Sequence, residues 1–340
     1  MEAAGVHLVR RAERVTVVGG TEAFGRLPAL WSAFSALRRL LHARRPRVLV
    51  LIDFPEFNLR LARVARRAGV PVVYFVAPQL WAWRRWRVHA MARDVSRVLA
   101  IFPFEVGLYH EAGVPVEFVG HPVLDVLPAL DRDAARGALA GPGETLVGLL
   151  PGSRDAEVRR HLPVLLGAAR RIVDQRHKAR FVIPVASTIP TAGVAAAAHA
   201  SGLPVEVLPG AAYRVMAAAD LLLVASGTAT LEAACYGTPM VVLYRLSSLS
   251  YAVARSLVHG VSHISLPNIV AGREIVPELI QGRATPEAVA GAALAILEDD
   301  VSRAVQRAAL LEVRTRLGET GAAARAAHAV LRELDGTSRR

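Results

Sequence analysis

The sequence predicts an α/β protein built from two doubly wound parallel domains and a helical C-terminal segment. Three observations carry this. Apolar runs of strand length alternate with stretches of helical periodicity along most of the chain, the pattern of parallel sheets joined by crossover helices. At 340 residues the chain is longer than a single hydrophobic core usually supports. The alternation breaks once, over 122–145, where Pro128, Gly141, Pro142 and Gly143 punctuate a polar stretch.

The predicted strands before the break are 48–52, 72–76, 98–101 and 117–119. Those after it are 146–150, 179–184, 205–208, 221–224 and 240–244. Each is short, aliphatic and β-branched, and each is followed by Gly, Pro or a polar turn. Helices are predicted between them, for example over 58–68 and 157–175. Residues 285–340 are Ala-rich with helical spacing and no strand-like run.

Composition narrows the function classes. No stretch reaches the ~18 uninterrupted apolar residues that span a bilayer. Residues 1–14 lack the apolar region of a signal peptide. A single cysteine, Cys235, excludes a disulfide framework. These features read as cytoplasmic. The formal net charge is +12, and residues 1–120 hold 18 Arg against 9 Asp and Glu, so +9 of it lies in the first third. Such a surface suits an anionic membrane, a phosphorylated substrate or nucleic acid. An Arg-rich codon usage gives the same count without a partner. No His, Cys and carboxylate cluster has metal-site spacing, so no bound metal is expected.

Several turns carry candidate chemistry. Asp53 closes the run 48–52 and Glu56 comes three residues later, which puts both at the carboxyl end of a strand, where open α/β sheets bind ligands. Asp53 either takes a proton from an attacking hydroxyl or caps the helix that starts near Asn58. The segment 150–154 (LPGSR) joins a strand to a helix. There Gly152 allows close backbone approach, Ser153 and the helix amides attract anions, and Arg154 can pair with a phosphate. The alternative is an ordinary turn with a surface arginine. The segment 226–232 (SGTATLE) repeats the design with Ser226, Gly227 and Thr228, and Glu232 lies one turn beyond Thr228 on the same helix face. A capping box with Thr228 as N-cap fails, because the third helical residue is Leu231. Neither GxGxxG nor GxxxxGK[ST] occurs at these turns, which argues against dehydrogenases and P-loop kinases.

The segment 265–274 (SLPNIVAGRE) offers Asn268, Arg273 and Glu274 to a ligand, or is a structural turn around Pro267 and Gly272. Trp81, Trp83 and Trp86 interleave with Arg84, Arg85 and Arg87. That pattern suits base stacking, a membrane interface or an acylated acceptor with a phosphate, and one or two of the tryptophans also suit a core. His121 ends a strand and is either structural or site-lining. Leu27, Leu30, Trp31, Phe34, Leu37, Leu40 and Leu41 recur at helical spacing, and Arg38, Arg39, Arg44, Arg45 and Arg47 crowd the end of that helix. Its apolar face either lies on an anionic bilayer or faces a core, with Arg favouring the helix dipole.

Taken in order, 51–62 (LIDFPEFNLRLA), 74–83 (YFVAPQLWAW), LPGSR, SGTATLE and SLPNIVAGRE closely resemble the lipid-A-disaccharide synthases. These sugar-nucleotide-dependent glycosyltransferases join two acylated glucosamines. The resemblance runs from Met1 to about residue 300. It implies two Rossmann-like domains of the GT-B type. Residues 1–125 would form the acceptor-side domain and 126–300 the UDP-sugar domain. Helices in 301–340 would pack back on the first domain or exchange between the subunits of a homodimer. The implied donor is UDP-2,3-diacylglucosamine and the implied acceptor is 2,3-diacylglucosamine 1-phosphate. No cofactor is implied, because the UDP-sugar is a substrate. Nucleic acid is not an expected partner. The enzyme is expected in the cytoplasm, peripheral on the inner face of the inner membrane.

The resemblance also distributes roles. Asp53 matches the probable catalytic base and Arg154 stabilises the departing UDP. Gly152, Ser153, Arg154, Ser226, Gly227, Thr228, Glu232, Asn268, Arg273, Glu274 and Gln281 fall to the donor. Glu56, Asn58, Trp81, Trp83, Arg84 and Arg87 fall to the acceptor and membrane side, although many members have Asp where Glu56 stands. Family members begin with a further strand, a Gly-rich loop, a helix and a strand, about one βαβ unit of ~30 residues. The segment MEAAGV at 1–6 matches the residues just after that block. The expectation is a gene start placed at an internal Met codon, the alternative a truncated first domain. Two rival functions stay open, a UDP-sugar 2-epimerase of the same fold and a non-catalytic nucleotide-sugar-binding protein.

Overall fold

A computed structural model describes residues 5–9, 22–247, 251–252 and 262–337. The chain forms two compact units, Met1–Gly120 with Gly321–Arg340, and His121–Thr320.

The first unit runs α1 (Glu22–Arg44), β1 (Leu49–Ile52), α2 (Pro55–Arg67), β2 (Val72–Phe75), α3 (Val88–Asp94), β3 (Arg97–Ala100), α4 (Glu105–Glu111) and β4 (Val116–Phe118). The strands form one parallel sheet in the order β1-β2-β3-β4. One face packs on α2, α3 and α4 through Leu61, Ala62, Ala65, Met91 and Tyr109, with Tyr74 and Val98 reaching up from the strands. Full burial of a large apolar side chain contributes about 1.5–3 kcal/mol, so this layer fixes the strand ends. α1 adds Leu41, Phe34 and Leu37 to the same layer, while Trp31 on its outer side is 71% exposed. The side chain of Leu27 lies outside the described residues. Among the described residues β1 is an edge strand, and Val50 and Ile52 on it are exposed.

The second unit runs α5 (Val123–Val126), α6 (Arg132–Gly137), β5 (Thr145–Leu150), α7 (Asp155–Gln175), β6 (Ala179–Val185), α8 (Thr191–Ala200), β7 (Val205–Pro209), α9 (Ala212–Ala218), β8 (Leu221–Ala225), α10 (Thr228–Cys235), β9 (Met240–Tyr244), α11 (Leu266–Ala271), β10 (Glu278–Ile280), α12 (Pro286–Glu298) and α13 (Asp300–Arg316). Its six parallel strands are ordered β10-β9-β8-β5-β6-β7. β5 and β8 are adjacent, with Val147 opposite Leu221 and Leu150 opposite Val224. The chain builds outward from β5 to β7 on one side and from β8 to β10 on the other. The β5–β8 seam is therefore the topological switch point, where doubly wound sheets open a crevice at the strand carboxyl ends. Leu162, Leu165, Ala168 and Ile172 of α7 pack with Val289, Ala293 and Leu297 of α12 in the main core.

The last helix, α14 (Ala322–Thr337), returns to the first unit. Its Ala326, Ala329 and Val330 cover Val73, Leu99 and Val119 on the second face of the four-stranded sheet. Arg325 Nε donates to the Val119 carbonyl at 2.8 Å, and Arg332 reaches Glu117 at 2.6 Å. α13, by contrast, belongs to the second unit, where Gln306 Oε1 accepts from Met240 N at 2.8 Å.

Sequence reasoning missed β10. It has three residues and carries Glu278 at a buried position, so it shows neither the length nor the apolar run of a strand.

Candidate active site

In the first unit the site grows from the carboxyl end of β1. Asp53 and Phe54 both adopt left-handed backbone, with φ of 48° and 45°. Such angles cost of order 1–3 kcal/mol in a non-glycine residue and persist only where neighbours enforce them. Three groups do so here. Asp53 N donates to the Phe75 carbonyl at 3.2 Å. The Asp53 carbonyl accepts from Asn58 Nδ2 at 2.6 Å and from the Tyr74 hydroxyl at 2.7 Å. Pro55 then opens α2 at a position where its missing N–H costs nothing. Asn58 also donates to the Ile52 carbonyl at 3.0 Å and is almost wholly buried. Its assignment to the acceptor is corrected: it holds the backbone of Asp53 from beneath. Burial raises the Tyr74 phenol well above its ordinary range, so it stays a donor. Among the described residues none donates to the Asp53 carboxylate, which is exposed.

Glu56 has the opposite surroundings. Arg87 grips it through both oxygens at 2.9 Å, and Arg84 adds a contact at 2.5 Å. The Arg87 hydrogen bonds, with the charges of Arg87, Arg84 and Arg60, hold its carboxyl below the usual range. A general base needs proton affinity near the working pH, so Glu56 is an anchor for the two arginines. Arg84 also lies over the Trp83 ring at 4.7 Å and Arg87 over Trp86 at 5.6 Å. Trp81 is half-buried and packs edge-on against Phe104 at 5.2 Å. A cavity of about 250 Å³ beside this cluster is lined by Leu30, Trp31, Phe34, Phe54, Phe57 and Glu56, with Arg60 at its edge. Sequence reasoning found the carboxylates but not Tyr74, whose only signal is a polar-tipped aromatic inside an apolar run.

In the second unit the two predicted turns meet at the switch point. Gly152 leaves β5 with φ 119°, and a Cβ there would lie 2.6 Å from Glu157 Oε2. Glu157 Oε2 accepts from Ser153 N at 3.2 Å and its Oε1 pairs with Arg154 at 2.8 Å. Thr188, in the turn beyond β6, donates to the Ser153 carbonyl at 2.6 Å. Arg154 precedes α7, whose 21 residues point their free N-terminal amides at this turn. At the adjacent strand, Ser226 N donates to the Leu243 carbonyl at 3.0 Å and Ser226 Oγ to Ile264 O at 3.1 Å. Gly227, at φ 154°, opens α10, and Thr228 is exposed at its first position. Glu232 is half-buried, accepts from the Tyr213 hydroxyl at 3.3 Å, and is raised above the usual carboxyl range by burial. Gln281, at φ 53°, ends β10 on the same side and accepts from Leu246 N at 2.8 Å.

Three predicted donor residues are placed differently. Asn268 is fully buried and spends its amide inside the fold: Oδ1 accepts from Ile275 N and Val276 N, and Nδ2 donates to Val276 O and Glu278. It shapes the loop and has no capacity left for a ligand. Arg273 and Glu274 lie beyond α11. They line a hollow of about 360 Å³ with Gln306, which bonds the first residue of β9. That is the amino end of the strands, opposite Gly152 and Gly227. Proximity in sequence to Asn268 suggested otherwise, but α11 carries the chain back along the sheet. Glu278, which sequence reasoning passed over, binds Ile264 N, Ser265 N and Ser265 Oγ at 2.7–2.9 Å. His121 is buried, accepts from Val123 N at 3.0 Å and is pushed down to about 4 by burial. No group of three or more His, Cys, Asp and Glu is placed to hold a metal among the described residues.

Two parallel doubly wound units, the second with paired glycine-bearing turns at its switch point, define an architecture of the GT-B type. Solved structures agree on the fold. A UDP-GlcNAc 2-epimerase from Neisseria meningitidis bound to UDP-GlcNAc superposes with a TM-score of 0.59 at 12% identity, covering 88% of this chain and 81% of that one. A UDP-forming trehalose-phosphate synthase from Burkholderia xenovorans gives 0.54 at 12% identity over 94% and 80%. Sequence gives the particular family. The family profile described as lipid-A-disaccharide synthetase matches residues 1–332. The lipid-A-disaccharide synthase of Geobacter metallireducens is 44% identical over 98% of this chain and 87% of its own length. That of Anaeromyxobacter dehalogenans is 46% identical over 96% and 86%. The chain belongs to the lipid-A-disaccharide synthase family, glycosyltransferases of lipid A biosynthesis.

Proposed function

We propose that the chain transfers 2,3-diacylglucosamine from UDP to 2,3-diacylglucosamine 1-phosphate, with inversion at the anomeric carbon. The supporting observation is the pairing of the Gly152–Arg154 and Ser226–Thr228 turns on neighbouring strand ends, each opening a helix toward the crevice. A diphosphate would take the α7 and α10 amides and exchange with Glu157 for the Arg154 guanidinium. Glu232 would hold the ribose hydroxyls. On the acceptor side, Asp53 takes the proton of the primary hydroxyl as its oxygen bonds the anomeric carbon. The bond from that carbon to UDP breaks, and the electron pair leaves on the diphosphate. Arg154 and the helix amides meet that charge as it develops, which lowers the barrier. Products are the β-1,6-linked disaccharide 1-phosphate and UDP.

We further propose that the enzyme works peripherally on an anionic membrane surface. No described helix is long and apolar enough to cross a membrane. Support comes from exposed Trp31 and Trp86, the apolar cavity beside Glu56, and the basic first third. The test is UDP release by the purified chain supplied with both acylated sugars, or with either alone. Release only with both supports transfer. Release with the donor alone indicates hydrolysis and overturns the reading, as does conversion of the donor to an epimeric UDP-sugar without UDP release.

A further inference from the structure

His161 lies on α7 and is fully buried in the second unit. Its ring joins two loops that no strand pairing connects. Nδ1 is 2.9 Å from the Pro151 carbonyl, immediately before Gly152. Nε2 accepts from Arg245 N at 3.0 Å, where the chain leaves β9. A backbone amide only donates, so Nε2 is the unprotonated nitrogen and Nδ1 carries the hydrogen given to Pro151. β5 and β9 are separated in the sheet by β8, so the ring ties the exits on both sides of the Ser226–Thr228 turn. Tyr244 flanks the ring at 5.7 Å. The next amide, Leu246 N, is held by Gln281 Oε1 at 2.8 Å. Two successive amides beyond β9 are thus gripped by side chains from two other elements. Packing of α7 does not require a polar group here, because Leu162, Leu165, Ala168 and Ile172 already supply its apolar face. Burying an imidazole carries a desolvation cost that a leucine avoids.

We propose that His161 is a positioning residue for a nucleoside diphosphate, locking Gly152–Arg154 and Arg245–Ser247 into one frame and making the latter segment part of the donor site. The inference rests on the donor-site reading above. It predicts that His161→Leu, which removes both bonds, weakens UDP binding at least tenfold and raises the KM for donor while leaving the acceptor KM unchanged. His161→Gln can accept from Arg245 N, and His161→Asn can donate to Pro151 O. Each should recover part of the lost affinity, which a bulk packing role would not produce. Leu165→Ala, in the same helix core but with no hydrogen-bonding group to offer either loop, serves as the control for general destabilisation.

Calorimetry with UDP on the full chain reads all four variants. Tenfold or greater loss in His161→Leu, partial rescue by Gln or Asn, and near-native affinity in Leu165→Ala support the proposal. His161→Leu within twofold of the parent overturns it, as does an equal loss in Leu165→Ala. Where His161→Leu does not fold, the Gln and Asn variants decide: affinity within twofold of the parent in both overturns it, and a graded loss supports it. Absence of UDP binding by the parent chain removes the donor-site reading, and this proposal with it.

Discussion

Arg154 and Glu157 form an ion pair of 2.8 Å one turn apart at the head of α7, and the same carboxylate fills the space where Gly152 lacks a Cβ. An acidic side chain therefore sits at the anion-attracting mouth of the helix, paired with Arg154. Arg154→Ala should weaken UDP binding, and Glu232→Gln should do so independently through the ribose. Charge-assisted contacts of this kind contribute ~1.5–3 kcal/mol, or roughly ten- to a hundredfold in affinity. Calorimetry with UDP checks both, and unchanged affinity in the two variants would take the donor away from the switch point.

Asp53→Asn should fold normally and bind UDP normally, yet lose transfer by ~10²–10⁴-fold, the usual range for a general base. Tyr74→Phe should keep the carboxylate but loosen the left-handed turn that aims it, with a smaller fall in kcat of about tenfold. Steady-state kinetics of the two variants, with melting curves alongside, decide this. Near-parent turnover by folded Asp53→Asn would exclude it as the base.

Glu105 gives a pH-dependent stability. It is almost wholly buried, accepts from Phe102 N at 3.2 Å, and burial pushes its carboxyl up to about 7. The folded state therefore keeps a proton that the unfolded chain loses near the ordinary value of 4.5. Between these values the folded state binds more protons, so its contribution falls as pH rises. Replacing Glu105 with Gln should stabilise the protein little at pH 4.5 and by up to about 3 kcal/mol at about pH 8. Denaturant melts at both pH values test it, and a difference that does not grow with pH would contradict it.

Trp31→Ser should reduce binding to vesicles containing anionic lipid without changing UDP affinity, because the side chain is 71% exposed and lies in the first unit. Cosedimentation with and without added salt is the measurement. Equal binding by parent and variant would remove α1 from the membrane-facing surface.

Much of the fold was readable because parallel strands buried on both faces appear as unbroken aliphatic runs, and β5 to β9 fall where those runs predict. The strand-to-helix turns were equally plain, since Gly152 and Gly227 sit between an apolar run and a helix. What sequence could not show was which polar groups turn inward. Asn58 and Asn268 look like ligand-facing residues beside functional motifs, yet both spend their amides on backbone. The difference lies in long-range register, such as the 2.8 Å bond from Asn268 to Glu278 on a strand too short to predict. His161 was hidden for the same reason, because its second partner is 84 residues away.

The return of α14 to the first unit has a consequence for biosynthesis. The second unit is continuous in sequence, so it can fold while the ribosome is still at work. The first is split: Val73, Leu99 and Val119 precede the second unit in the sequence, but their cover of Ala326 and Ala329 follows it. The sheet of the first unit is thus completed only after the second unit has been made, and until then its apolar face waits exposed to chaperones and to neighbouring chains.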